Sequence, residues 1–233
     1  MKIAILLTSN DTSDFAKRFI TDDQKYINLL KPLRPDWKFD CFTVWQDDFP
    51  ADSSEYDGII VTGSPASVNS DEAWITKLLD LIRVMHKAET KMFGGCFGHQ
   101  AIAAALGGKV GLNEKGRWSV GKETTHFSHT PDHLGDVPSE IEMYSIHKEE
   151  VTVLPDGAEP IGRNHFCKYA AFVVGNHILT SQYHPEMTSN FLVGLVDEMR
   201  GELDDCLLDS ALSDFKTPHE GNEFAKVIVR FFE

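Results

Sequence analysis

The segment KMFGGCFGHQAIAAALGG, residues 91–108, constrains this chain more than any other stretch of it. Its first residues read as a short apolar strand, and the alanines and Leu106 that follow favour a helix stopping at Gly107 and Gly108. A strand that turns straight into a helix commits a chain to an α/β arrangement, with ligands at the carboxyl ends of its strands. Cys96 lies on the turn. Gly94-Gly95-Cys96-Phe97-Gly98 has the spacing of a G-x-nucleophile-x-G elbow, where flanking glycines accommodate a sharp turn and expose a strained nucleophile. The helix N-terminus favours a reactive thiolate there, and the Phe97 N–H can face a developing oxyanion. An isolated cysteine would be read as a small buried apolar residue. Here the double glycine, the third glycine and the helix start coincide.

The flanking sequence fits such an arrangement. Ile3–Leu7, Phe39–Trp45 and Tyr56–Gly63 read as strands, being apolar or β-branched runs closed by polar residues or glycine. Between the third of these and Lys91, residues Trp74, Ile75, Leu78, Leu79, Ile82 and Met85 share one helical face, with Asn69 or Ser70 as the expected N-cap. Alternating strands and helices imply βαβ units and a mostly parallel sheet. From Val110 to Tyr183 the pattern changes to short strands with turn signals, and from Ser189 it returns to helix. Phe224, Val227, Ile228 and Phe231 form an apolar face near the end. At 233 residues one domain over 1–233 is expected, with 190–233 as a helical C-terminal extension that covers the core, forms a dimer contact or caps the pocket.

Composition narrows the function. The formal charge of −14, from 36 acidic and 22 basic residues, disfavours nucleic acid as a partner. The apolar run before Thr8 is too short for a signal-peptide core or a membrane span, so a cytoplasmic location is expected, with Cys41, Cys96, Cys167 and Cys206 as thiols.

A nucleophilic cysteine needs a base. Tyr183-His184-Pro185-Glu186 follows a strand-like run, and residues two apart in an extended segment point to one side, so Glu186 can orient His184 and stabilise its imidazolium. Pro185 stiffens the segment. His99, three residues after Cys96, ranks as structural, because its helix face points away from an elbow nucleophile. His126, His129 and His133 resemble a metal cluster, yet Pro131 interrupts them and no ligand frame is evident.

GGCFGHQAIAAALGG followed about ninety residues later by QYHPEM resembles the class I glutamine amidotransferases, and the likeness runs from Ile3 to about Phe191. The resemblance implies a flavodoxin-like α/β fold with helices flanking a mostly parallel sheet. It implies a triad of Cys96 as nucleophile, His184 as acid and base, and Glu186 as orienting group, in agreement with the residue-level reading. It further implies a second oxyanion donor at the glycine-rich end of an earlier strand, Gly63 and Ser64 here with the Ser64 N–H donating, and a substrate contact from Gln100. His147 stands where relatives carry a loop histidine, although YSIHKEE departs from the usual spacing. The expected reaction is hydrolysis of the glutamine side-chain amide through a γ-glutamyl thioester on Cys96, without metal or organic cofactor. One alternative is a γ-glutamyl peptide hydrolase using the same triad; another, of a different class, is a catalytically silent binding or regulatory module. Relatives commonly feed ammonia to a synthetase, so an ammonia-accepting partner belongs to the first reading.

Overall fold

The computed structural model describes residues 1–113 and 116–233. The chain begins with strand β1 (Lys2–Leu7), helix α1 (Asp22–Leu30), β2 (Lys38–Thr43), β3 (Gly58–Val61), α2 (Ala73–Lys87), β4 (Met92–Gly95) and α3 (Phe97–Ala105). The β-rich stretch follows: β5 (Lys109–Leu112), β6 (Ser119–Phe127), β7 (Glu140–His147), β8 (Glu149–Val153), β9 (Ala158–Arg163), β10 (Ala171–Val174) and β11 (Ile178–Ser181). Three helices complete it, α4 (Ser189–Glu198), α5 (Asp205–Asp214) and α6 (Gly221–Phe232).

One nine-stranded sheet has the order β2-β1-β3-β4-β11-β10-β9-β6-β7, and β5 pairs with β8 separately. The first five strands in that order run parallel, while β10, β9, β6 and β7 are joined antiparallel. This is the flavodoxin-like arrangement of a mostly parallel core flanked by helices. Alternation along the parallel strands splits their side chains between two faces. Ile3, Ile5, Ile60 and Phe93 pack with Tyr26 of α1 and with Phe224, Val227, Ile228 and Phe231 of α6. Ala4, Leu6, Ile59, Val61 and Met92 pack on the other side with Ile75, Leu78 and Ile82 of α2 and Ala101 and Ile102 of α3. Burial on both faces explains why these strands read as continuous apolar runs.

Several boundaries differ from the sequence reading. The second strand ends at Thr43, and Val44–Gln46 form a 3₁₀ turn. Helix α2 starts at Ala73 after Glu72, not after Asn69 or Ser70, and the Glu72 side chain makes no capping hydrogen bond. Its carboxylate instead accepts from the Trp74 indole at 2.8 Å, while Ser70 N–H closes a turn onto the Ser67 carbonyl. Helix α1 was not anticipated at all. The C-terminal stretch divides: α6 is a core layer, whereas α4 and α5 form a third apolar cluster with Val120, Tyr144 and Phe215 beside the β6–β7 edge. Among the described residues no helix is long and apolar enough to cross a membrane.

Candidate active site

The register of the sheet creates the site. Gly95, the last residue of β4, pairs with Ser181, the last of β11, so the chain leaves both strands at one level. Cys96 leaves the first strand and the segment 182–186 leaves the second. The Cys96 N–H donates to the Ser181 carbonyl at 2.8 Å, and the Gly98 N–H to the Thr62 carbonyl at 3.1 Å. Between these anchors Cys96 takes φ 48° and ψ −105°, a strained torsion for a residue with a side chain. The sequence reading gave the turn to the glycines, yet Gly94, Gly95 and Gly98 all lack positive φ. Their role is close approach. A Cβ on Gly98 would overlap the Val61 carbonyl oxygen, one on Gly94 would meet the Gly98 carbonyl at 2.6 Å, and one on Gly95 would overlap the Tyr26 hydroxyl.

The Phe97 N–H occupies the first position of α3, outside the intrahelical ladder. Across from it, the loop after β3 is fixed by the fully buried Thr8. The Thr8 hydroxyl donates to the Gly63 carbonyl at 2.8 Å, and the Ser64 hydroxyl donates to the Thr8 carbonyl at 2.8 Å. A trans peptide opposes its C=O and N–H, so tying down the Gly63 carbonyl turns the Ser64 N–H away from Thr8. Gly63 itself abuts both partners of the site: a Cβ there would lie 3.1 Å from His184 Cε1 and 3.7 Å from Cys96 Cβ.

His184 and Glu186 are both buried, and the His184 Nδ1–H donates to Glu186 Oε1 at 2.8 Å. The His184 backbone is pinned to the Tyr144 carbonyl of β7 at 3.0 Å. Its Nε2 has no hydrogen-bond partner among the described residues. Burial is the largest influence on His184 and opposes its charged form, but the charges of Glu186 and Cys96, with the Nδ1–H bond to Glu186, outweigh it and hold His184 well above its ordinary value. Burial likewise opposes the charge on Glu186, and the His184 imidazolium, aided by Lys25, overcomes it and lowers the carboxyl. A thiol, an imidazole and a carboxylate are thus brought together in an order that can relay a proton.

Other expected residues fall into two groups. Gln100 lines the same cavity, and its amide donates to the Glu149 carbonyl at 2.8 Å and to Gln182 Oε1 at 3.2 Å. His147 lines it too, its Nδ1–H donating to the Glu149 carbonyl at 3.1 Å, and burial with the nearby His184 charge pushes it down to about 3. His99 stands apart. It bonds Thr180 Oγ1 at 2.8 Å, rests on Phe172, and is pushed down to about 3 by burial and by His147. His126 pairs with Glu140 at 3.1 Å, and among the described residues no group of three or more His, Cys, Asp or Glu is arranged to hold a metal ion.

The sequence reading passed over two contributors. Gln182 lies two residues before His184 and donates to Cys96 Sγ at 3.6 Å, so the alternation that pairs His184 with Glu186 extends one step back. Helix α1 supplies the backing of Glu186. The buried Tyr26 hydroxyl stands under Gly95, and burial first, then the Glu186 charge, raises it well above its ordinary value. Lys25 is held by Asp22 at 2.6 Å and lies 3.3 Å from the centre of the Phe191 ring. The site opens into a cavity of about 230 Å³.

The chain is 32% identical over 206 residues to gamma-glutamyl peptidase 3 of Arabidopsis thaliana, covering 85% of this chain and 82% of that one. It is 30% identical over 132 residues to the glutamine-hydrolyzing GMP synthase of Streptococcus mutans, covering 56% of this chain and 25% of the synthase. A glutamine amidotransferase structure from Thermotoga maritima superposes with a TM-score of 0.78 at 17% identity, covering 100% of this chain and 98% of that one, which shows the shared fold. Residues 37–191 match the family described as glutamine amidotransferase class-I, and the chain belongs to that family.

Proposed function

We propose that this chain hydrolyses γ-glutamyl amide bonds by covalent catalysis at Cys96. The observation that carries the reading is the buried His184–Glu186 pair beside a cysteine on a strained strand-to-helix turn. The Cys96 thiolate adds to the amide carbon, and the Phe97 and Ser64 N–H groups take the charge of the tetrahedral oxygen. The C–N bond breaks as His184 Nε2 gives its proton to the departing nitrogen, leaving a γ-glutamyl thioester. His184 then takes a proton from water as the water attacks, the C–S bond breaks, and glutamate leaves. Glu186 keeps the imidazole oriented and its charged form stabilised throughout.

Glutamine and γ-glutamyl peptides share this chemistry and differ only in the leaving amine. Two features favour peptides, or other substituted amides, turned over by the chain alone. The likeness to gamma-glutamyl peptidase 3 extends over most of both chains. The Gly63 carbonyl is anchored by Thr8, which supports a Ser64 donor set in place without a docked partner. The likeness to the GMP synthase supports a second reading, a glutaminase delivering ammonia to a synthetase. The buried ion pair argues against a silent binding module, because burying two charges is costly unless they serve one another.

The test is purified protein assayed with glutamine and γ-glutamyl dipeptides, alone and with cell extract, for ammonia, free amine and glutamate. Turnover of dipeptides by the protein alone, abolished by Cys96→Ala, is expected. Ammonia release from glutamine only in the presence of extract would favour the synthetase-coupled reading, and Cys96→Ala at wild-type rates would overturn the mechanism.

A further inference from the structure

The cavity over Cys96 has two unlike sides. One is polar, with Ser64, Ser67, Gln100 and Lys148 among its residues. The other is largely apolar, with the paired Lys25 and Asp22 against Met187 and Phe191, and begins next to the catalytic loop. Met187 follows His184 by three residues, and Phe191 and Leu195 of α4 and Met199 at its C-cap recur at four-residue intervals, which sets them on one face. Trp118, just before β6, and Ile146 of β7 line the same cavity. The face is braced from behind by the buried Leu192, Val196 and Leu203. Phe191, Leu195 and Met199 nevertheless stay partly exposed in the cavity.

Position assigns this side to one part of the substrate. The group that protonates the leaving nitrogen must stand on the leaving-group side of the scissile bond. His184 is that group, and the apolar side is continuous with it through Met187. Ammonia is small and polar and gains nothing from such a surface, whereas an apolar substituent on the departing nitrogen would lose water-exposed area against it. We propose that this face is a leaving-group subsite, and that the chain prefers γ-glutamyl amides whose departing amine carries an apolar or aromatic substituent. The reaction is balanced as γ-glutamyl–NH–R plus water giving glutamate plus R–NH₂. The inference rests on the γ-glutamyl hydrolase reading and specifies its substrate class.

A matched pair of substrates tests it: γ-glutamylbenzylamide against γ-glutamylmethylamide, with glutamine as reference. The expected kcat/KM ratio of benzyl to methyl is roughly ten- to a hundredfold, the range a hydrophobic pocket supplies. Leu195→Gln should lower that ratio several-fold. Met199→Gln, at the end of α4, should do the same and guards against misfolding of the first variant. Calorimetry on Cys96→Ala provides a reading without turnover, with the benzylamide expected to bind more tightly by a similar factor. Equal or reversed ratios in both assays, with glutamine or the methylamide turned over well, would overturn the subsite and leave the hydrolase reading intact. No turnover of any of the three would overturn the hydrolase reading, and equal binding of the two amides to Cys96→Ala would then remove the subsite as well. Glutamine favoured over both amides would overturn it in favour of an ammonia-delivering enzyme.

Discussion

At the scale of single residues, the site rests on two anchors with separable consequences. Glu186 keeps His184 in its charged form against the effect of burial. Glu186→Gln can still accept the Nδ1–H bond but loses the charge, so turnover should fall by on the order of 10²- to 10⁴-fold. Because the Glu186 charge raises His184, its removal should also move the alkaline limb of the pH–rate profile to lower pH. A limb that stayed in place would show that another group sets it. In the proposed mechanism Thr8 is a positioning residue, two strands from Cys96. Thr8→Val keeps the shape but removes the shorter of the two hydroxyl bonds to the Gly63 carbonyl, leaving that from Thr62 at 3.2 Å. The Ser64 N–H is then held less firmly, and kcat should fall roughly tenfold with KM little changed. Steady-state kinetics showing only a KM effect would assign Ser64 to ground-state binding instead.

At the scale of elements, the elbow depends on how closely α3 approaches the sheet. The Gly98 backbone packs against the Val61 carbonyl of β3, and Gly94 against Gly98. Gly98→Ala must push the start of α3 outwards, carrying the Phe97 N–H with it. We expect a loss of about 1–3 kcal/mol from overpacking, read as a lower urea midpoint, together with a loss of activity larger than any change in the folded fraction. Full activity in a destabilised variant would separate helix packing from oxyanion binding. Helix α3 ends as its composition predicts: the Gly107 and Gly108 N–H groups return to the Ala104 and Ala103 carbonyls at 3.2 and 2.8 Å, with Gly107 at φ 94°.

At the scale of the whole molecule, buried histidines give the fold a predictable sensitivity to acid. His99 and His147 sit near 3 in the folded chain against an ordinary value of 6.5, each because burial disfavours the charged ring. Below pH 6.5 the unfolded chain binds protons at these rings that the folded chain refuses. Stability therefore falls with acidification, by at most about 1.4 kcal/mol per pH unit for each ring. His133, His177 and His219 are lowered too and act in the same direction. His184 is raised, so its contribution is complete below pH 6.5 and is lost only as pH rises through its folded value. Glu186 is lowered from 4.5 and adds its loss only in stronger acid. Urea midpoints should decline steadily from pH 7 to pH 5, and His99→Gln should remove about one proton of that slope. A flat profile over this interval would contradict the buried neutral state of both rings.

The sequence by itself determined what local rules govern. Apolar runs marked β1, β3 and β4, the period of 3.6 residues marked α2 and α6, and glycine spacing marked the turn at Cys96. The alternation of an extended segment paired His184 with Glu186, because two residues apart is a local distance. Tertiary structure alone decided what depends on register and on packing between distant segments. The pairing of Gly95 with Ser181 sets the cysteine beside the histidine, and no local pattern encodes which strand neighbours which. The strained torsion fell on Cys96 rather than on its glycines, because the glycines were needed where backbones approach. Helix α1 went unread and brings Asp22, Lys25 and Tyr26 behind Glu186, an environment visible only once residues more than 150 positions apart are folded together. The C-terminal stretch was legible as helix, but its division into a core layer and a cavity wall was settled by which apolar faces remained to be covered.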